Sequence, residues 1–341
     1  FAMGSVIPQG AIYQDASAAY NQMSYMGPGY NQQWQYSGKW VRENTPSNAV
    51  FAHWWDYGYW VQSGFERATI GDGGNFIGWW NYLMGRKVLT GQTQEEALPF
   101  LYTHNANYLL MVQDEIGKYT AYSSIGSDEN YDRFSWITTF SLSPQQKETR
   151  NGVEIYYQGG FALDEDFIYQ GKIFPAQMAG IFAIKVPFEN IIINNTKTQK
   201  MLQPTVLMGY QNSQVELPLK CIFMNNQLYE FENASYDGCF RIVPVIQSQT
   251  EANAIGAGYL LSKRTYHSNF GQLYMLNKQS SYFKVVYDDS QGMPLAIYQG
   301  RQIGPIKIWE INYPENLTLT KEEYEYNLRT TYPNEELLKP R

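Results

Sequence analysis

The chain has 341 residues, 44% of them hydrophobic, enough for a sizeable core in one large domain or two smaller ones. Its net charge is −7 and it carries no basic run, which argues against nucleic-acid binding, because phosphate contacts need clustered Lys and Arg. No stretch approaches the roughly 20 apolar residues of a membrane helix, and no signal peptide is visible.

Residues 1–30 read as an irregular lead-in. Within them Phe1-Ala2-Met3-Gly4-Ser5 has the look of a cloning remnant, and 15–26 are open to helix with Asp15 as cap. Residues 32–44 suit an amphipathic helix that ends at Thr45-Pro46. Residues 49–55 read as a buried strand, followed by a turn at Asp56-Tyr57-Gly58 and a further extended run over 61–70. Helices are expected over 75–85 and 93–105, the second capped by Thr93, then an apolar strand over 107–113. That alternation is an α/β pattern. The polar stretch 147–152 reads as a boundary. Beyond it, short apolar runs separated by turn signals suggest a barrel or sandwich. A helix over 261–276 with Ser262 as cap, a hairpin joining 283–287 to 295–298 around Asp288-Asp289, and a closing strand over 306–311 follow. The expected organisation is therefore mixed α+β: lead-in 1–30, an α/β core over 31–150, a β-rich part over 151–313, and a charged tail over 314–341 with a solvated helix near 321–329.

One stretch stands out: His53-Trp54-Trp55-Asp56-Tyr57-Gly58-Tyr59-Trp60. On residue types alone an aromatic core cluster is the default. Yet two indole N–H donors beside one anionic acceptor also match a small hydroxyl, which both donates and accepts. Trp54-Trp55-Asp56-Tyr57-Gly58, with Pro46-Ser47-Asn48-Ala49-Val50 before it and Gly71-Asp72-Gly73-Gly74-Asn75 after it, resembles the signature of the catalytic subunit of oligosaccharyltransferase, in its archaeal AglB-type branch. A second segment, 114–126, resembles that family's Asp/Lys ("DK") motif. Asp114 and Lys118 fall in the named positions, Tyr122 stands where many members carry Met, and Ile125 is the nearest apolar residue of the kind some members use. One extra residue separates Asp from Lys, so Asp114 and Glu115 both remain candidates for the acidic position.

The resemblance implies the extracytoplasmic globular part of a membrane glycosyltransferase that moves a glycan from a dolichol-linked phosphate donor to the Asn of an Asn-x-Ser/Thr sequon. Trp54, Trp55 and Asp56 would receive the Ser/Thr hydroxyl, with Tyr57 and Gly58 in support. It implies no catalytic residue in this chain. The carboxylates that hold Mg²⁺ or Mn²⁺ would lie in a preceding membrane region, so the domain alone is expected to be inactive. Its partners would be the acceptor polypeptide, the lipid-linked donor and its own transmembrane part.

Cys221 and Cys239 are either two free thiols or, in the favoured extracytoplasmic reading, one disulfide across a hairpin turned at Asn225-Asn226-Gln227. The acidic clusters Asp164-Glu165-Asp166 and Asp288-Asp289 read as solvated turns, and the three histidines show no metal spacing. Three sequons occur, at Asn194, Asn233 and Asn316. A rival reading is an extracellular carbohydrate-binding or adhesion module whose aromatics stack on sugars, in keeping with an aromatic content of 16%.

Overall fold

A computed structural model describes residues 9–26, 29–193, 196–248 and 250–333. The expected remnant at 1–5, the Asn194 of the first sequon and the end of the tail lie outside the described residues. The fold is mixed α+β: a five-stranded sheet with helices, and a closed β-barrel.

The first part holds α1 (Gln9–Met26), α2 (Gln32–Asn44), β1 (Val50–Ala52), α3 (Gly58–Trp60), β2 (Ala68–Thr69), α4 (Gly78–Leu83), α5 (Leu98–Thr103), β3 (Tyr108–Val112) and α6 (Glu115–Ile125). The lead-in is thus helical from Gln9 rather than irregular. Helix α2 begins where Asn31 accepts from the Trp34 N–H, and it buries Trp34, Ser37, Gly38 and Val41. Strand β1 pairs parallel with both β2 and β3. All five residues of β3 are buried, as a strand covered on both faces requires.

Three expected elements differ. The 61–70 run is not extended: Val61–Phe65 continues α3 as a wider helical turn, and only Ala68–Thr69 is strand. Val61 and Phe65 are both fully buried, and their spacing of four places them on one helical face. Helix α5 starts at Leu98 instead of Thr93, because Pro99 has no N–H to give and belongs in a first turn. The apparent boundary at 147–152 is the hairpin turn between β4 (Thr138–Thr149) and β5 (Gly152–Ala162).

The remaining elements are β6 (Phe167–Tyr169), β7 (Lys172–Phe174), β8 (Gly180–Ile193), β9 (Thr196–Met201), β10 (Thr205–Tyr210), β11 (Ser213–Met224), β12 (Gln227–Glu230), β13 (Tyr236–Ile246) and β14 (Ala252–Leu261). After them come α7 (Lys263–His267), β15 (Phe283–Asp288), β16 (Ala296–Tyr298), β17 (Arg301–Ile303), β18 (Ile306–Ile311) and α8 (Lys321–Leu328). Seven strands run in the order β11-β10-β8-β5-β4-β14-β13, and a parallel pairing of β11 with β13 closes the ring. Inside it Phe240 meets Phe140 and Tyr157.

Strand β13 serves two cores. Phe240 and Ile242 point into the barrel, whereas Cys239 and Val243 join the core shared with the five-stranded sheet. That double burial explains an apolar run without alternation. The five-stranded sheet is completed from the far end of the chain, in the order β15-β18-β3-β1-β2. The hairpin expected around Asp288-Asp289 therefore does not form: β15 pairs with β18, while β16 adds to β13 of the barrel sheet.

Cys221 and Cys239 form a disulfide. They are not opposed across a hairpin. The turn at Asn225–Asn226, both with positive φ, pairs Cys221 with Glu230, and Cys239 lies on the parallel neighbour β13. The acidic clusters are not simply solvated either. Buried Asp164 accepts from the Ser135 and Ser262 hydroxyls, and Asp289 accepts from Gln33 Nε2 at 2.9 Å and the Ile306 N–H at 2.8 Å. In the tail, α8 starts with a capping box between Thr320 and Glu323. It is docked rather than free: Trp79 Nε1 donates to the Tyr326 carbonyl at 2.9 Å.

Candidate functional site

Parallel pairing of β1 with β3 sets their C-terminal ends side by side. The first motif leaves β1 and the second leaves β3, so both emerge at one edge of the sheet, the usual place for a site in parallel strands. Beyond β1 the backbone passes buried His53 and turns through Trp55–Tyr57 into α3. The His53 Nδ1–H donates to the Trp54 carbonyl at 2.8 Å. Burial pulls its pKa down to about 4, so it stays neutral near pH 7.

Gly58 is required by contact. A Cβ there would lie 2.3 Å from Asp72 Cα and 2.5 Å from the Gly71 carbonyl. The motif's glycine thereby lets the Gly71–Asp72 loop pack directly on α3. This loop walls a cleft of about 200 Å³ together with Asn75, Phe76, Trp80 and neighbours.

Lys118 joins the two motifs. Its Nζ lies 2.8 Å from Asp114 Oδ2 and 3.3 Å from Asp56 Oδ1. It also donates to Tyr57 OH at 3.4 Å and sits 4.8 Å from the centre of the Tyr57 ring. Tyr57 OH in turn donates to Asp114 Oδ2 at 3.3 Å, and its ring stacks on Trp34 at 5.6 Å. Burial alone would lower the Lys118 pKa, but the bonds to Asp114 and Asp56 outweigh it and hold the pKa above its ordinary value. Among the described residues Asp56 Oδ2 has no hydrogen-bond partner.

One turn further along α6, Tyr122 is fully buried and packs on Trp54 with ring centres 5.7 Å apart. Successive positions of one helix face thus meet successive parts of the first motif. Trp54 is 2% exposed and touches Trp55, which is half-buried. Ile125 is not in this cluster. It is exposed, at the last residue of α6, roughly 10 Å along the axis from Lys118.

Asp114 and Glu115 point in different directions. Asp114 faces Lys118, whereas Glu115 is fully buried, with Oε2 accepting from the Val112 N–H at 2.8 Å and Oε1 unpartnered. Burial pushes the Glu115 pKa up to about 8, so it is largely protonated at neutral pH. The sequence offers Glu115 as a candidate beside Asp114 but not its burial, and it does not show the packing of Gly58 on Gly71–Asp72. The available signal was the glycine-rich run itself, since close backbone approach is one reason for such a run. Among the described residues no group of three or more His, Cys, Asp or Glu is placed to hold a metal ion.

No protein-family model matches the chain. It is 32% identical over 98 residues to subunit STT3B of the dolichyl-diphosphooligosaccharide–protein glycosyltransferase of Oryza sativa, a match covering 29% of this chain and 12% of that protein. Against the corresponding stt3 subunit of Schizosaccharomyces pombe it is 29% identical over 114 residues, covering 33% and 14%. It is 46% identical over 44 residues to dolichyl-phosphooligosaccharide-protein glycotransferase 1 of Pyrococcus furiosus, covering 12% and 5%. The chain thus spans 14% or less of the length of these curated relatives. Among solved structures, the C. jejuni PglB C-terminal domain aligns with a TM-score of 0.41 at 12% identity, covering 82% of this chain and 100% of that one. The C-terminal globular domain of an oligosaccharyltransferase from Pyrococcus abyssi aligns with a TM-score of 0.37 at 15% identity, covering 82% and 50%. Structural likeness of that degree is too weak to carry function. By sequence, part of the chain is similar to these glycosyltransferase subunits and glycotransferase.

Proposed function

We propose that this chain is the acceptor-reading globular domain of a membrane oligosaccharyltransferase. The full enzyme transfers a glycan from a dolichol-linked phosphate donor to the side-chain amide of an Asn-x-Ser/Thr sequon outside the cytoplasm. A transmembrane region anchors this domain and supplies the carboxylates that hold Mg²⁺ or Mn²⁺. The relatives, named as glycosyltransferases or glycotransferases, support the reaction class.

The observation that carries the reading is the Lys118 bridge. It holds Asp56 through Oδ1 and leaves Oδ2 without a hydrogen-bond partner among the described residues, on the residue that follows Trp54 and Trp55 in the chain. In this proposal the sequon hydroxyl donates to Asp56 and accepts from the indole N–H groups of Trp54 and Trp55. Each such bond nets about 0.5–1.5 kcal/mol, more for the charged acceptor. An acceptor lacking the hydroxyl would leave those groups unpaired, which is why selectivity against Asn-x-Val should be large.

The test uses the full-length protein with lipid-linked donor and two peptides, Asn-x-Thr and Asn-x-Val. Transfer to Asn-x-Thr alone, abolished by Asp56→Ala and reduced by Lys118→Met, is the expected result. Equal transfer to both peptides, or full activity in Asp56→Ala, would sink the hydroxyl-reading role. Binding of free sugars with no response to sequon peptides would favour the carbohydrate-binding reading.

A further inference from the structure

Among the described residues two arginines are buried without a carboxylate partner, and they differ in one respect. Arg67, 7% exposed, uses its whole guanidinium: Nε donates to Thr45 Oγ1, Nη1 to the Phe65 and Glu66 carbonyls, and Nη2 to the carbonyls of Val41, Arg42 and Thr45. Arg241, also 7% exposed, uses only Nη1, which donates to the carbonyls of Tyr274 and Met275. Its Nε is buried without a partner, and among the described residues its hydrogen bonds all run from Nη1 and none from Nη2. The edge left open, Nε with Nη2, is one of the faces by which a guanidinium grips a carboxylate or phosphate through two parallel bonds.

That residue lines a cleft of about 320 Å³ between β13, the β11–β12 turn and the loop after β15. The same cleft is lined by Lys307, Asn225, Asn226, Asn277 and Ser290, a wall able to donate hydrogen bonds. Lys307 is 2% exposed; its Nζ reaches Asn277 Oδ1 at 2.5 Å and Asp288 Oδ2 at 3.4 Å. Lys307 thus has the Asp288 carboxylate within reach and Asp289 acting on it from farther off, while the Arg241 guanidinium lies 4.8 Å over the Phe223 ring and has no carboxylate partner among the described residues. Burying a cation costs free energy unless polar partners surround it. The cost shows in the cations themselves: burial draws Arg241 down to about 10 and Lys307 down to about 8.

We propose that this cleft is a binding site for a small oxyanion, a phosphate or carboxylate group held side-on by Arg241 and at its other side by Lys307. It is separate from the Asp56–Lys118 cluster and independent of the function proposed above.

The test follows thermal unfolding of the 341-residue chain against sodium phosphate, sodium acetate and, at matched ionic strength, sodium chloride. A site predicts a rise in Tm that saturates with phosphate or acetate and is absent with chloride. General salting-out by phosphate predicts instead a linear rise shared by every variant. Ser290→Asp sets a carboxylate in the same cleft without touching a buried cation. It should raise Tm with no anion added and remove the saturable response. Lys307→Gln should weaken half-saturation about tenfold, the loss expected for one charge-assisted bond. Tighter phosphate than acetate would assign a phosphorylated ligand, and the reverse order a carboxylate. A parent chain with no saturable response overturns the proposal, as does a saturable response left unchanged by Ser290→Asp.

Discussion

The five-stranded sheet and the barrel handle polar groups in opposite ways. In the sheet, strands are short and their ends are free of hydrogen-bond ladders, so Asp56, Tyr57, Asp114 and Lys118 collect where β1 and β3 run out. In the barrel, long strands close on themselves, and β13 presents residues to a core on either side. Among the described residues of the barrel strands the one buried charged side chain is Arg241, which shares the face of β13 with Cys239 and Val243, toward the core common to both parts, and has an unfilled guanidinium edge. Closure removes edges and gives rigidity. Open strand ends give room to assemble a site. The chemistry-bearing residues are thus held by an element whose own geometry is fixed by its barrel neighbour.

The sharpest way to break that contrast is through Glu115, the buried carboxyl beneath the strand-end cluster. Its folded pKa, about 8, is raised above the unfolded carboxylate value, so the folded state binds the proton more tightly. Stability from this group is full below the unfolded pKa of about 4.3 and is lost as pH rises to about 8. Glu115→Gln should remove that fall, a difference of ~3 kcal/mol or more at pH 9 in urea unfolding. A variant with the parent's pH profile would show that Glu115 is not buried as described.

The barrel's counterpart is the disulfide. Reducing Cys221–Cys239, which closes 18 residues, should cost about 3 kcal/mol in the loop-entropy account. Because β13 belongs to both cores, the loss should appear as one transition rather than as separate melting of the barrel. Two resolved transitions would make the barrel and the sheet independent units.

Gly58→Ala tests the tight approach at the strand-end site. With a Cβ placed 2.3 Å from Asp72 Cα, backbone must move, at about 1–3 kcal/mol by denaturant titration. A neutral substitution would mean that the Gly71–Asp72 loop yields freely. The smallest effect is expected at Lys118→Met. Its ion pairs are partly exposed, so stability should change by less than about 1 kcal/mol, although transfer by the full enzyme should fall. A large loss of stability there would recast the bridge as a structural element.

Much of the site was legible because it is local. Trp54-Trp55-Asp56-Tyr57-Gly58 is contiguous, Lys118 and Tyr122 are one helical turn apart, and the end of helix α2 before Thr45-Pro46 follows from proline sterics. Spacing also holds a helical signal: Val61 and Phe65 mark one helical face inside the 61–70 run, and Pro99 marks the start of α5. Local pattern also indicated a β-rich barrel or sandwich but not which of the two, because closure depends on β11 meeting β13.

What the sequence by itself determined, then, was the inventory: the motif, the second acidic-lysine segment, most of the strands and the mixed α+β class. Tertiary structure alone decided the partners. It joined Asp56 to Lys118 across sixty residues, carried β15 and β18 back beside β3, placed Cys239 on a parallel neighbour rather than a hairpin, and turned Asp114 outward and Glu115 inward. The physical reason is range. Propensity, capping and periodicity act over a few residues, whereas strand order and the burial of a charge are set by which distant surfaces exclude water together.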